Sequence, residues 1–261
     1  MEAILRKTIK SGNASAVVLP KAWLNKNVKV ELLDKTPEII LREVLEIVNP
    51  YLELSEVIGI YIVGSYARND QTSTSDIDIL IISEKTSHEV IKKGSYEIMI
   101  VSLELLNYKL EENLLPIGTM LKEAVPILNK SLLKQISIKV TKKNIKWHLE
   151  TTKNRMAVIK KSISMIERKK PDGKLSDSVV YSLILRLRTL YMINCLKNNK
   201  KYEKSNFLKL VKDISGSLTA YDRYVRIKNN EEGGRETPLS EGKKLYECLE
   251  RYMQKLSYSI K

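Results

Sequence analysis

Apolar and polar positions fall into three differently patterned stretches along the chain. In residues 1–35, Ile4 to Lys10 and Ala16 to Leu19 read as short strands around a Ser11-Gly12-Asn13 turn. Pro20 opens a short helix carrying Trp23, and Val28 to Leu33 alternates again as a strand. A unit this small buries little apolar surface alone, so it must pack on the rest of the chain or pair with a second copy.

Residues 36–140 mix the two periods. Ile40, Val44, Ile47 and Val48 share one helical face, and Pro50 ends that helix. Apolar runs predict strands at Ile58–Val63, Ile77–Ile82 and Tyr96–Val101. Between the last two, SEKTSHEVIKKG is expected to hold one or two helical turns. LELLNYKLEENLLPIG reads as a helix broken near Pro116, with a further short helix around Met120–Ser131. Residues 141–261 read as all helix, near 142–168, 175–199, 204–214, 217–229 and 238–258, with PDG at 171–173 and EEGG at 231–234 as loops. Leu183, Leu187, Leu190 and Ile193 mark a core face there, and Arg186 and Arg188 interrupt it. The fold class expected is α+β: a small sheet flanked by helices, preceded by a small N-terminal β hairpin module and followed by a C-terminal helical bundle domain.

Composition adds bounds. The 261 residues are 43% apolar with a mean hydropathy of -0.24, as in a soluble globular protein. No apolar run is seen to approach the roughly 20 residues of a membrane span, and charges interrupt the apolar start MEAILRKTIK, unlike a signal peptide. The expectation is a cytoplasmic protein without a membrane partner. Cys195 and Cys248 lie far apart in helical segments, which reads as buried free thiols rather than a disulfide or a metal cluster. His88 and His148 are the only histidines, so histidine-based chemistry has little support. The formal charge of +14 is uneven: residues 1–140 sum to -1 and 141–261 to +15. A basic half of this kind attracts polyphosphates or nucleic acid, and is equally an ordinary Lys-rich surface.

Candidate chemistry lies in IYIVGSYARNDQTSTSDIDILII, from Ile60 to Ile82. In an extended strand, residues i and i+2 share a face, so Asp76 and Asp78 project together while Ile77 and Ile79 face the core. Two adjacent carboxylates repel unless a cation or a proton intervenes, and oxygen ligands suit Mg²⁺. Taken alone the pair is also an ordinary solvated strand end. Gly64 and Ser65 directly follow the apolar strand that precedes the acids. Gly64 allows close backbone approach, exposed amides there can cradle phosphate oxygens, and Ser65 and Arg68 add a hydroxyl and a cation.

The constellation GSYARNDQTSTSDIDIL resembles the glycine–serine, gap, Asp-x-Asp motif of the nucleotidyltransferase superfamily, which includes DNA polymerase beta-like enzymes, minimal nucleotidyltransferases and kanamycin nucleotidyltransferase. The likeness is closest over 37–140 and implies a short mixed sheet flanked by helices. It implies that Asp76 and Asp78 hold divalent metal, Mg²⁺ or Mn²⁺, and that Gly64, Ser65 and Arg68 bind the phosphates of a nucleoside triphosphate, ATP by default. It also implies a third carboxylate, for which Glu97 is the candidate and Glu104 the fallback; many members have Asp where this chain has Glu97. The reaction implied is in-line transfer of a nucleoside monophosphate to a hydroxyl acceptor with release of pyrophosphate. Two alternatives stand beside it: a nucleic-acid-binding or regulatory protein with a degenerate catalytic module, and an antitoxin-like transferase that modifies a protein hydroxyl.

The helical half is similar in architecture to the helical domains that follow this module in kanamycin nucleotidyltransferase and in HEPN-type partners. The Arg–His spacing of catalytic HEPN ribonucleases is absent after residue 141, where His148 stands without the required arginine. YDRYVRIKNN places Tyr221, Tyr224, Val225 and Lys228 near one helical face, either packed or presented to an acceptor. RKTIKSGNASAVVLPKAWLNKNVKV resembles the AbrB/MazE swapped-hairpin family through Gly12, Asn13, Leu19, Pro20, Lys21 and Trp23. That likeness implies a homodimer, and DNA contact through Arg6, Lys7 and Lys10. The organisation expected is thus 1–35 as an AbrB/MazE-like module, 36–140 as the catalytic domain and 141–261 as a basic helical domain.

Overall fold

The fold follows from a computed structural model that describes residues 4, 6, 8–30, 36–72 and 75–260. The chain divides into two units, residues 1–36 and 37–261. In the first, β1 (Ile9–Ser11) pairs antiparallel with β2 (Ala14–Ala16), with Ile9 opposite Ala16. Gly12, at φ +58, supplies the left-handed residue of the turn. A 3-10 turn, Lys21–Trp23, follows Pro20. None of the unit's described residues is buried, and Ile9, Val18, Leu24 and Val30 are exposed. The strand expected at Val28–Leu33 lies partly outside the described residues, and Val28 to Val30 are not in a strand. The proposed phosphate contact Lys7 also lies outside them.

The second unit opens with helix α1 (Pro37–Val48), which buries Ile40, Val44, Ile47 and Val48. Its sheet comprises β3 (Val57–Val63), β4 (Ile77–Ser83), β5 (His88–Lys93), β6 (Tyr96–Ser102) and β7 (Val125–Leu128), in the order β5-β6-β4-β3-β7. Only β4 and β6 run parallel; the other pairs are antiparallel. Strand β4, IDILIIS, is apolar on both sides because both its faces are covered. Ile77, Ile79 and Ile81 pack with α1, whereas Leu80 and Ile82 pack with Leu106, Ile117 and Leu121. Those last residues come from α3 (Leu103–Glu112) and α4 (Ile117–Glu123). A single helical turn, α2 (Gly64–Arg68), leaves the end of β3. After β7, Asn129 caps α5 (Lys130–Gln135) by accepting from the Leu132 N–H at 3.2 Å.

The remainder is helical, as the apolar spacing predicts. Helix α6 (Lys142–Lys169) starts at a capping box between Thr141 and Asn144. It is followed by α7 (Asp177–Lys197), α8 (Lys204–Ser215), α9 (Thr219–Lys228) and α10 (Leu239–Ser259). The expected core face of α7 is fully inside, with Leu183, Leu187, Leu190 and Ile193 each at 0% exposure. Tyr224 is buried and Tyr221 partly buried in the same core, so that face of α9 serves packing. Both cysteines are free and buried.

Three expectations are corrected. SEKTSHEVIKKG is not helical: His88–Lys93 forms edge strand β5, joined to β6 by the two-residue Gly94-Ser95 hairpin with Gly94 at φ +60. Such a loop with a left-handed glycine is the geometry that twisted antiparallel strands require. The helix expected around Met120–Ser131 is interrupted, because Val125–Leu128 adds to β3 as an edge strand; Pro126, which lacks an N–H, is tolerated at an edge. Finally, α7 is long and apolar enough to cross a membrane by length and composition alone, yet it is the helix around which the bundle's core is built.

Packing at α7 sets the stability of the helical part. Leu187→Ala removes a fully buried side chain and is expected to cost about 2–5 kcal/mol, read as a lowered urea midpoint with an unchanged slope.

Candidate functional site

Sheet topology brings the sequence-selected residues to one end of the strands. Val63, the last residue of β3, lies opposite Asp78 on β4. Asp78 in turn is the register partner of Glu97 on β6. Laterally paired residues point to the same side of a sheet, so both carboxylates project from the face that carries α3 and α4. Asp76, two residues earlier on the same alternation, is exposed, while Asp78 is half-buried. Glu104 is in the first turn of α3, not in the sheet row.

Gly64 is where the chain turns away from the sheet. It has φ +68, and a Cβ placed there would come within 1.9 Å of Asp78 Oδ2. The backbone therefore passes against the Asp78 carboxylate in a way only glycine permits. Ser65 follows it in α2. Arg68, at the far end of α2, donates from Nη1 to Glu123 Oε2 at 2.9 Å and Oε1 at 3.0 Å. Its Nε donates to Asp70 Oδ2 at 3.2 Å. Glu97 is also engaged: Lys92 Nζ of β5 lies 3.3 Å from its Oε2.

Glu123 is the site residue that the sequence reading missed. It ends α4, is 5% exposed, and accepts the Gly64 N–H at 2.9 Å. No local motif announces it. It sits two residues before Val125, whose pairing with Ile62 places the Glu123 position beside Gly64, and that pairing is visible only once β7 is known.

Electrostatics couples these groups. Burial first, then the Glu97 charge, with smaller repulsion from Asp76 and Glu123, pushes the Asp78 carboxyl up to about 6; Arg68 opposes the shift. Burial also raises the Glu123 carboxyl, against the pull of Arg68 and the Gly64 N–H. The Arg68 guanidinium lies 5.7 Å from the Tyr202 ring centroid, and Arg188 of α7 lies 5.2 Å from the same ring. Beside them is an open cleft of about 520 Å³ lined by Arg68, Asp70, Glu123, Tyr202, Lys204 and Ser205, among others.

Among the described residues, no three His, Cys, Asp or Glu side chains are gathered into a ready metal cluster. The donor chemistry nevertheless fits a hard divalent cation. Asp78 feels the charges of both Asp76 and Glu97, a repulsion that oxygen-preferring Mg²⁺ or Mn²⁺ relieves.

Residues 41–169 match the family model of the nucleotidyltransferase domain. A crystal structure of a nucleotidyltransferase-like protein from Exiguobacterium sibiricum 255-15 aligns over 82% of this chain and 74% of its own, with 14% sequence identity and a TM-score of 0.37. No curated protein matches the chain.

The raised Asp78 carboxyl has a sign that can be measured on metal-free protein. Below about pH 3 the group is protonated in folded and unfolded chains alike. As pH rises towards 6 the unfolded chain ionises first, and folding loses stability until the folded group ionises as well. Asp78→Asn is therefore expected to match the wild type at pH 3 and to melt roughly 2–4 °C higher at pH 8, the shift that about 1 kcal/mol gives at this chain length. Melting curves in chelator at both pH values check it.

Proposed function

We propose that this chain, which carries a nucleotidyltransferase domain, transfers the nucleoside monophosphate of ATP to a hydroxyl acceptor and releases pyrophosphate. One observation carries the reading: the Gly64 backbone lies against Asp78, whose strand neighbour is Glu97. A turn that can bind phosphate and a pair of carboxylates thus share one sheet end.

In this reading Asp76, Asp78 and Glu97 hold Mg²⁺ or Mn²⁺. When bound, the metal supplies charge stabilisation to the phosphate oxygens and acidifies the acceptor hydroxyl. The chain's own residues do the remainder. The Gly64-Ser65 turn orients the triphosphate, with the Ser65 hydroxyl donating to a phosphate oxygen. The acceptor oxygen attacks the α-phosphorus, the bond to the bridging oxygen of the β-phosphate breaks, and pyrophosphate leaves. In the same reading Glu97 helps to take the acceptor's proton. Arg68 acts on the phosphates from a guanidinium already braced by Glu123 and Asp70. The cleft beside α2 is the place for the acceptor, and the basic helical half (+15 over 141–261) favours an anionic one, nucleic acid included. Residues 36–140 act as the catalytic domain, 141–261 as the basic helical domain, and the AbrB/MazE-like 1–35 as a self-associating or DNA-contacting module, all in the cytoplasm.

A second reading has one observation in its favour. The Lys92–Glu97 ion pair supplies a cation where the third carboxylate is needed, as suits a module that binds nucleotide without transferring it.

Purified protein incubated with α-labelled ATP, Mg²⁺ and candidate acceptors separates the two. Transfer is expected with wild type and is expected to drop roughly 10²–10³-fold in Asp76→Asn and Asp78→Asn, as for loss of a group that stabilises transition-state charge. Nucleotide binding with no labelled product from any acceptor would instead favour the binding module.

A further inference from the structure

We propose that Glu123 is a positioning residue: its buried carboxylate clamps both ends of α2 and so holds the Gly64-Ser65 turn against Asp78. The catalytic consequence rests on the nucleotidyl-transfer reading; the clamp itself does not.

A carboxylate at 5% exposure is costly unless its oxygens are satisfied by donors. Those of Glu123 are met by the Gly64 N–H at 2.9 Å and by Arg68 Nη1 at 2.9 and 3.0 Å. Gly64 is the first residue of α2 and Arg68 the last, so one side chain spans the whole turn. The first amides of any helix lack partners within the helix. The usual remedy is a side chain at the N-cap, but the N-cap here is Val63, which makes no side-chain hydrogen bond. Glu123 supplies the missing cap from 59 residues away in sequence.

The location follows from the sheet. Strand β7 pairs with β3 only from Val125 onward, at Ile62. Two residues beyond, where the ladder would reach Gly64, β7 has not begun, and the carboxylate stands in for the absent main-chain acceptor. Gly64 has particular need of such a tie. Its conformational freedom makes it the least self-restrained residue of the turn, yet its position is constrained to within contact of Asp78. Arg68 is braced from the other side by Asp70 and by the face of Tyr202.

Glutamine is the discriminating replacement. It keeps the length, but it has one acceptor oxygen for two donor groups and turns an amide N–H₂ towards a guanidinium. Full-length wild type, Glu123→Gln and Arg68→Gln are compared by amide hydrogen exchange without nucleotide, and by steady-state transfer from ATP. For Glu123→Gln, exchange at Gly64 is expected to accelerate about tenfold or more while the core amides of α7 keep their rates, as in a local opening. The value of kcat/KM is expected to fall roughly 10–100-fold, the loss that follows a misplacement near 1 Å. In exchange at Gly64 the double variant should open little more than either single one, because the two residues hold the turn as a unit. Unchanged exchange at Gly64 in Glu123→Gln would overturn the clamp, and so would a uniform acceleration across all amides, which marks a residue needed only for global stability. If Glu123→Gln does not fold, Arg68→Gln carries the same exchange test. Failure of the wild type to transfer nucleotide overturns the transfer reading alone, since the exchange measurement still decides the clamp.

Discussion

Repulsion among carboxylates is the constraint that the rest of this sheet end answers to. Asp78 feels the charges of Asp76, Glu97 and Glu123 and is itself half-buried. Two of these acids have been given a counterweight. Glu123 has Arg68 and a backbone N–H, and Glu97 has Lys92. Asp78 faces a glycine backbone, with the Arg68 charge offsetting only part of the repulsion, and its carboxyl is pushed up to about 6. The geometry therefore gathers negative charge that Arg68 only partly offsets at one point, a repulsion that a divalent cation would relieve.

Much of this was legible in the sequence, for local reasons. The strands at 57–63, 77–83 and 96–102 announce themselves because each is an apolar run of strand length. The helices after residue 141 are legible because their apolar residues recur at helical spacing and loops such as PDG and EEGG separate them. The order of Gly64, Ser65, Asp76 and Asp78 is readable because all lie on one hairpin-like excursion from β3 to β4. What failed were the two edge strands. HEVIKK and VPIL are short, half-exposed and rich in charge or proline, so their strand character comes from β6 and β3 beside them rather than from their own pattern. Glu123 was lost along with β7, since its meaning lies in a partner 59 residues earlier.

The helical part does more than add charge. Tyr202, between α7 and α8, lies under the guanidinium of Arg188 from α7 and that of Arg68 from α2. Both contacts are of cation–π type at a largely buried ring. Arg188, which looked in the sequence like an interruption of a core face, is thus partly explained: the bundle holds it against Tyr202, beside the turn that follows β3. Arg186 has a different lot, donating to Thr151 Oγ1 at 3.2 Å on α6.

The stretch from Gly64 to Asp76 has one more property. Both of its ends are fixed by the antiparallel pairing of β3 with β4, through Val63 and Asp78, whereas Asn69 to Asp76 are in neither helix nor strand wherever they are described. For a tethered segment of this kind, the entropy of closing the loop grows only with the logarithm of its length, about 0.6 kcal/mol for each doubling. Residues can be added or removed between Asp70 and Ser75 at small cost to the fold and without displacing Asp78, which the pairing with Val63 holds. Length changes in this connection therefore alter the surface beside the cleft while the sheet that carries Asp78 and Glu97 stays as it is.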